Sequence, residues 1–196
     1  MTDATTEFEP LTDETLAAVR EVFDEAVREE KLAGVAWGLV RGGEILAAGG
    51  SGQSHLEDGK PAEGSVTPGP DSVSRIASMT KSFTAATILA LRDEGKLRLD
   101  DPVAQHVPEA AQIGRASEDS PEITLRHLLT MSAGFVTDNP WGDRQESMTP
   151  EEFAEVLKGG LSFVAEPGTG FEYSNTGYVL LGRVIGNVTG LSLIHI

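Results

Sequence analysis

The sequence has no cysteine, only two tyrosines and two tryptophans, and fewer than half as many basic as acidic residues. Without cysteine there can be no disulfide, no thiolate nucleophile and no cysteine metal ligand, and the redox compartment is left open. Fifteen Lys and Arg stand against 31 Asp and Glu, for a formal net charge of −16. That balance repels a nucleic-acid backbone and gives an anionic membrane surface nothing to attract. No apolar run is long enough to span a bilayer, and the first thirty residues lack the basic start and apolar block of a secretory leader. As written, the chain is cytoplasmic by default, with a small molecule as the expected partner. No metal or other cofactor is expected.

What is present is a chain of 196 residues, 39% hydrophobic, large enough for one good core or two lobes. Its centre of interest is Arg75-Ile-Ala-Ser78-Met-Thr-Lys81-Ser-Phe83. From Ser82 to Leu91 there is no charge, which predicts a helix buried on nearly all sides, opened by Ser78 and Lys81. A spacing of three puts both side chains on one face of the first turn, where an amine can take the proton of a hydroxyl. Such a pair would arise by chance about 0.4 times in a sequence of this composition, so the context has to carry the argument. A lysine held in an apolar site favours its neutral form, as a base requires.

Around this stretch, Thr12 is an N-cap for an amphipathic helix to about Glu30, read as covering a sheet. Two short apolar runs, Gly34–Val40 and Ile45–Ala48, flank Gly42-Gly43 and predict a hairpin. Residues 49–70 read as an irregular connection, and no convincing strand follows Ala48. Gly95 is a C-cap. Residues 109–122 read as a loop, and Thr124 caps a short helix ended by Gly134. His55, alone in a loop, is read as solvated and given no role, and His127, among leucines, is read as a hydrogen-bonded structural histidine. Asp138 to Gln145, with Trp141, form either a binding loop or a core edge. Thr149-Pro150-Glu151-Glu152 is a capping box opening a helix through about Leu157, ended by Gly159-Gly160. Tyr173-Ser174-Asn175 then sits on a tight loop feeding a helix with the stripe Leu181, Val184, Ile185 and Val188.

Tyr-x-Asn would arise by chance only about 0.03 times here. Ser78-x-x-Lys81 together with Tyr173-x-Asn175 resembles the serine β-lactamase and penicillin-binding-protein superfamily. Within it, the blocks Glu-Gly-Lys-Leu-Arg-Leu-Asp-Asp-Pro102, Ile-Thr-Leu-Arg-His-Leu-Leu-Thr130 and Glu-Pro-Gly-Thr-Gly-Phe-Glu-Tyr-Ser-Asn175 resemble the class C β-lactamase-like group of esterases, D-amino-acid peptidases and DD-carboxypeptidases. The likeness runs from about Gly34 to Gly190. It implies an α/β (more narrowly α+β) β-lactamase/transpeptidase-like fold, helices packed on an antiparallel sheet of which only the N-terminal hairpin is present.

The resemblance further implies that Ser78 is the acylated nucleophile, Lys81 its proton-transfer partner, Tyr173 the general base and Asn175 a hydrogen-bond donor to the substrate carbonyl. The backbone N–H of Ser78, at a helix start, is available for half of an oxyanion hole. Two departures stand out: Met131 occupies a position where many relatives carry a second histidine, and the group's third motif, a Lys/His-Thr/Ser-Gly strand, is absent. We therefore expect a loose lead over residues 1–10, a partial domain over 11–196, and a fragment that is poorly stable and inactive by itself. The expected activity is ester or amide hydrolysis through an acyl-enzyme. The alternatives are a catalytically silent ligand-binding or sensor domain of the same fold, and an unrelated all-helical interaction protein.

Overall fold

The computed structural model describes residues 11–29, 32–138 and 148–191. It divides the chain into two compact units, Met1–Arg75 and Ile76–Ile196.

The first unit is one helix and its hairpin. Helix α1 (Asp13–Glu29) starts where Thr12 Oγ1 accepts the N–H of Thr15 at 3.1 Å, so the predicted cap is in place. Strands β1 (Gly34–Arg41) and β2 (Glu44–Gly52) pair antiparallel. They turn on Gly42 and Gly43, at φ of 61° and 86°, the two left-handed positions that a two-residue turn of this hand demands. Trp37 is the buried anchor of β1 and stacks on Phe23 of α1, centroids 5.4 Å apart. The helix thus covers the hairpin as expected.

The expectation of no strand after Ala48 needs correcting. Strand β2 runs on to Gly52, and a second small ladder pairs β3 (Leu56–Glu57) with β4 (Lys60–Pro61). Its turn is Asp58-Gly59, at φ of 48° and 74°. Asp-Gly is the same hairpin signal as the glycine pair, but it is flanked by polar residues that hide the strands.

The second unit is helical. Helices α2 (Thr80–Asp93), α3 (Val103–His106), α4 (Leu125–Leu129), α5 (Pro150–Lys158) and α6 (Asn175–Thr189) are joined by loops and a 3-10 turn at Pro108–Gln112. That turn falls inside the stretch read as loop. Helix α6 is the axis of the core: Leu180, Leu181, Val184 and Ile185 are wholly buried, packed with Ile88 and Leu91 of α2, Leu125 and Leu128 of α4, and Phe153 and Leu157 of α5. Leu181, Val184 and Ile185 of the predicted stripe are in the core, joined by Leu180, with Val188 at its margin.

Helix α2 is not buried on nearly all sides. Only Thr84, Ile88 and Leu91 are buried, while Phe83 is 62% exposed and Leu89 38%. An uncharged sequence removes the polar face but does not supply neighbours, and Ile88 and Leu91 alone carry the helix into the core. Gly95, at φ 72°, does close α2, and Lys96 N–H reaches back to the Leu91 carbonyl at 2.9 Å.

Helix α4 spans Leu125–Leu129, the residues read as helical, but Gly134 is not what stops it. Met131, at φ 54°, takes the left-handed position, and Ser132 N–H bonds the His127 carbonyl at 2.8 Å, closing the helix in Schellman fashion before Gly134 is reached. The capping box at Thr149 is present with both bonds: Glu152 N–H to Thr149 Oγ1 at 3.2 Å and Thr149 N–H to Glu152 Oε2 at 2.7 Å. The expected lead over residues 1–10 and Trp141 lie outside the described residues. No helix among the described residues is long and apolar enough to cross a membrane.

Candidate active site

Two helix starts meet at the site. Ser78 lies on a 3-10 turn, Ala77–Met79, immediately before α2, so it precedes the helix that it was expected to open. Ala77 holds φ at 46°, a conformation that costs a residue with a Cβ about 1 kcal/mol or more. That turn presents Ser78 at the surface while Lys81, in the first turn of α2, is half-buried. Lys81 Nζ donates to Ser78 Oγ at 3.2 Å, the contact predicted from their spacing.

The partner start is that of α6, nearly a hundred residues later. Ser174 is its N-cap, accepting Gly177 N–H at 3.1 Å, which leaves Tyr173 just before the helix and Asn175 as its first residue. Tyr173 Oη and Ser78 Oγ are 2.6 Å apart. Lys81 Nζ donates to Asn175 Oδ1 at 2.7 Å. Four residues named from sequence are therefore brought into one hydrogen-bonded cluster, with the hydroxyl of Ser78 flanked by an amine and a phenol.

The surroundings of Lys81 differ from the apolar site expected. Its Nζ is 4.9 Å from the centroid of the Tyr173 ring and 5.7 Å from that of Tyr178. Two π faces together with Ser78 and Asn175 make a place suited to an ammonium group. Tyr178 is locked by donating to the Leu129 carbonyl at 3.0 Å, and burial, then the neighbouring Tyr173, push its own hydroxyl pKa up. Sequence reasoning passed over Tyr178, although it lies three positions after Asn175 on the same helix, the spacing that shares a face.

Asp138 is the other residue whose place was missed. Its Oδ1 accepts Asn175 N–H at 2.7 Å, and its Oδ2 accepts Thr176 N–H at 2.7 Å and the Ser174 hydroxyl at 3.2 Å. It was grouped with the polar loop through Gln145, the rest of which lies outside the described residues. No local pattern ties an aspartate to a helix start some 37 residues away.

His127 belongs to the cap of α4 and makes no contact with this cluster among those described. His127 Nδ1 accepts Thr124 N–H at 3.2 Å while Thr124 Oγ1 accepts His127 N–H at 3.3 Å, so the ring completes the cap of α4. Burial pushes its pKa down. His55 is exposed. Among the described residues, no group of three or more histidine, aspartate or glutamate side chains is placed to hold a metal ion.

A serine hydroxyl between lysine and tyrosine is the arrangement implied by the superfamily resemblance, and the Beta-lactamase family model matches residues 19–196. The chain belongs to the beta-lactamase family. Its sequence is 32% identical over 189 residues to esterase EstB of Burkholderia gladioli, covering 88% of this chain and 45% of the esterase. Its fold is similar to that of the octameric penicillin-binding protein homologue from Pyrococcus abyssi, with a TM-score of 0.73, 32% identity, and coverage of 93% of this chain and 40% of that one. It is also similar to the D-amino acid amidase from Ochrobactrum anthropi SV3, with a TM-score of 0.66, 29% identity, and coverage of 90% and 46%. The chain thus spans less than half the length of each of these relatives. This family membership settles the fold class as β-lactamase/transpeptidase-like, with helices and a small antiparallel hairpin, and rules out the all-helical reading.

Proposed function

We propose that the protein is a serine hydrolase that cleaves a small ester or a peptide-like amide through an acyl-enzyme on Ser78. The observation that carries this reading is the position of Ser78 Oγ, 2.6 Å from Tyr173 Oη and 3.2 Å from Lys81 Nζ. A serine hydroxyl is a weak nucleophile until a base within hydrogen-bond reach takes its proton. Tyr173 is that base. The Lys81 ammonium, facing the Tyr173 ring and bonded to Ser78 Oγ, favours negative charge on this oxygen pair.

In the first half-reaction the Ser78 proton passes to Tyr173 Oη, reacting as the phenolate that the Lys81 ammonium favours, as Oγ bonds to the substrate carbonyl carbon. Collapse of the tetrahedral adduct breaks the bond to the leaving alkoxide or amine, which takes the proton back from Tyr173. In the second half, Tyr173 removes a proton from water, water oxygen bonds to the acyl carbon, and Ser78 Oγ departs with that proton. Asn175 holds Lys81 through Oδ1, so the atom it offers to a substrate carbonyl is its amide Nδ2. The Ser78 backbone N–H, on the 3-10 turn, supplies one donor to the oxyanion.

The substrate class follows from the relatives, one an esterase and another a D-amino acid amidase. A short-chain aryl ester and a D-amino acid amide are therefore the first two substrates to try, ahead of a β-lactam. In the protein expressed from its own gene, Ser78→Ala should lower kcat by roughly three orders of magnitude or more with the fold kept. A variant with near wild-type kcat would remove Ser78 from the mechanism.

A further inference from the structure

We propose that Asp138 is a positioning residue, a carboxylate clamp on the start of α6 that sets Tyr173 and Asn175 against Ser78 and Lys81. This inference rests on the serine-hydrolase reading of the same cluster.

A helix start exposes backbone N–H groups that have no partner within the helix. In α6 those of Asn175 and Thr176 go to the two carboxylate oxygens of Asp138, and that of Gly177 goes to the N-cap Ser174, which itself donates to Asp138. One step upstream, Thr137 Oγ1 donates to the Tyr173 carbonyl at 3.0 Å. Residues 137 and 138 therefore hold the backbone of residues 173–176 at three points, and the Ser174 side chain at a fourth. Tyr173 and Asn175, the two side chains that reach across to Ser78 and Lys81, lie inside that span.

The clamp has a firm base. Val136 N–H bonds the Ser162 carbonyl at 3.1 Å, and Phe135, 3% exposed, packs on Phe163 with centroids 5.5 Å apart. The negative charge also lies at the positive end of the helix dipole, its favourable place. The capacity required is specific to a carboxylate: each oxygen accepts from a different backbone N–H, whereas an asparagine offers one acceptor and turns N–H groups toward the second. Asp138 touches none of the four atoms of the Ser78 cluster in the contacts described, so it acts on them through the backbone of α6.

The test is a double-mutant cycle read alongside backbone hydrogen exchange, in the protein expressed from its own gene, with a short-chain aryl ester as substrate. Asp138→Ala should lower kcat by about 100-fold, the scale of a small misplacement of reacting groups, and change KM less than threefold. Asp138→Asn, keeping one acceptor, should lose about tenfold. In a Tyr173→Phe background Asp138→Ala should cost less than threefold, because a residue that acts by placing Tyr173 has little left to place. A merely structural aspartate would lower the melting temperature and leave kcat per folded molecule unchanged in both backgrounds.

Exchange of the Asn175 and Thr176 amides should quicken at least tenfold in Asp138→Ala while the middle of α6 stays protected. Unchanged exchange at those two amides, or an equal loss of kcat with and without the Tyr173 hydroxyl, would overturn the proposal. Lack of ester turnover by the wild type would count against the hydrolase reading, and the exchange result would then decide the clamp alone.

Discussion

At the scale of single residues, Lys81 is the hub of the cluster, touching Ser78, Asn175 and two aromatic faces. A guanidinium in its place keeps the charge but is bulkier and planar, and cannot reproduce a single nitrogen that donates to both Ser78 Oγ and Asn175 Oδ1, so Lys81→Arg should lose nearly as much kcat as Lys81→Ala. Steady-state kinetics on both variants checks this: substantial activity in the arginine variant would show that a positive charge of any shape suffices. Tyr173→Phe removes the atom 2.6 Å from Ser78 Oγ and should lower kcat by about 10²–10⁴, the usual worth of a general base, with little change in KM. These residues were legible because Ser78 with Lys81 and Tyr173 with Asn175 are local pairs whose chance frequency could be weighed, the second being rare in a chain with two tyrosines. Asp138 was not. Its role depends on which loop lies against the start of α6, and that is decided by packing far from either motif.

The elements were read best where a side chain ties down a helix end. Thr12, Thr124 and Thr149 all cap as their sequences suggest, because a cap needs only residues within a turn of each other. Where the chain used a non-glycine residue for a left-handed position, as Met131 does, the ordinary stop signal misled. Thr149→Ala should destabilise the protein by about 1 kcal/mol through the lost cap of α5, seen as a lower urea midpoint.

The cap of α4 carries a pH signature. Burial lowers the pKa of His127, so the folded state favours the neutral ring relative to an unfolded histidine near pH 6.5. The resulting stability is fully present above that pH and is lost as pH falls through the lower, folded value, because the unfolded chain then binds the proton first. His127→Gln keeps an acceptor for the capping box. Its melting temperature should therefore fall less steeply than that of wild type below about pH 6.5, and parallel curves would contradict the assignment.

For the molecule as a whole, the core and the site share one helix. Helix α6 buries Leu180, Leu181, Val184 and Ile185 completely and begins with Asn175. Leu181→Ala should cost about 2–5 kcal/mol, a transfer and cavity penalty together, while the folded fraction keeps its reactivity, since no atom of the Ser78 cluster is altered. The helical stripe that builds this core was visible as periodicity. The bare side of α2 was not, because periodicity reports which residues are apolar and says nothing of how many neighbours arrive to cover them. The central claim is that one side chain, Ser78, is the nucleophile of a beta-lactamase family hydrolase. Reaction with a fluorophosphonate, followed by digestion and mass spectrometry of the modified peptide, tests it most directly. The adduct should lie on Ser78, in the peptide that follows Arg75, and should be absent from Ser78→Ala; modification of another residue, or undiminished labelling of that variant, would contradict the account.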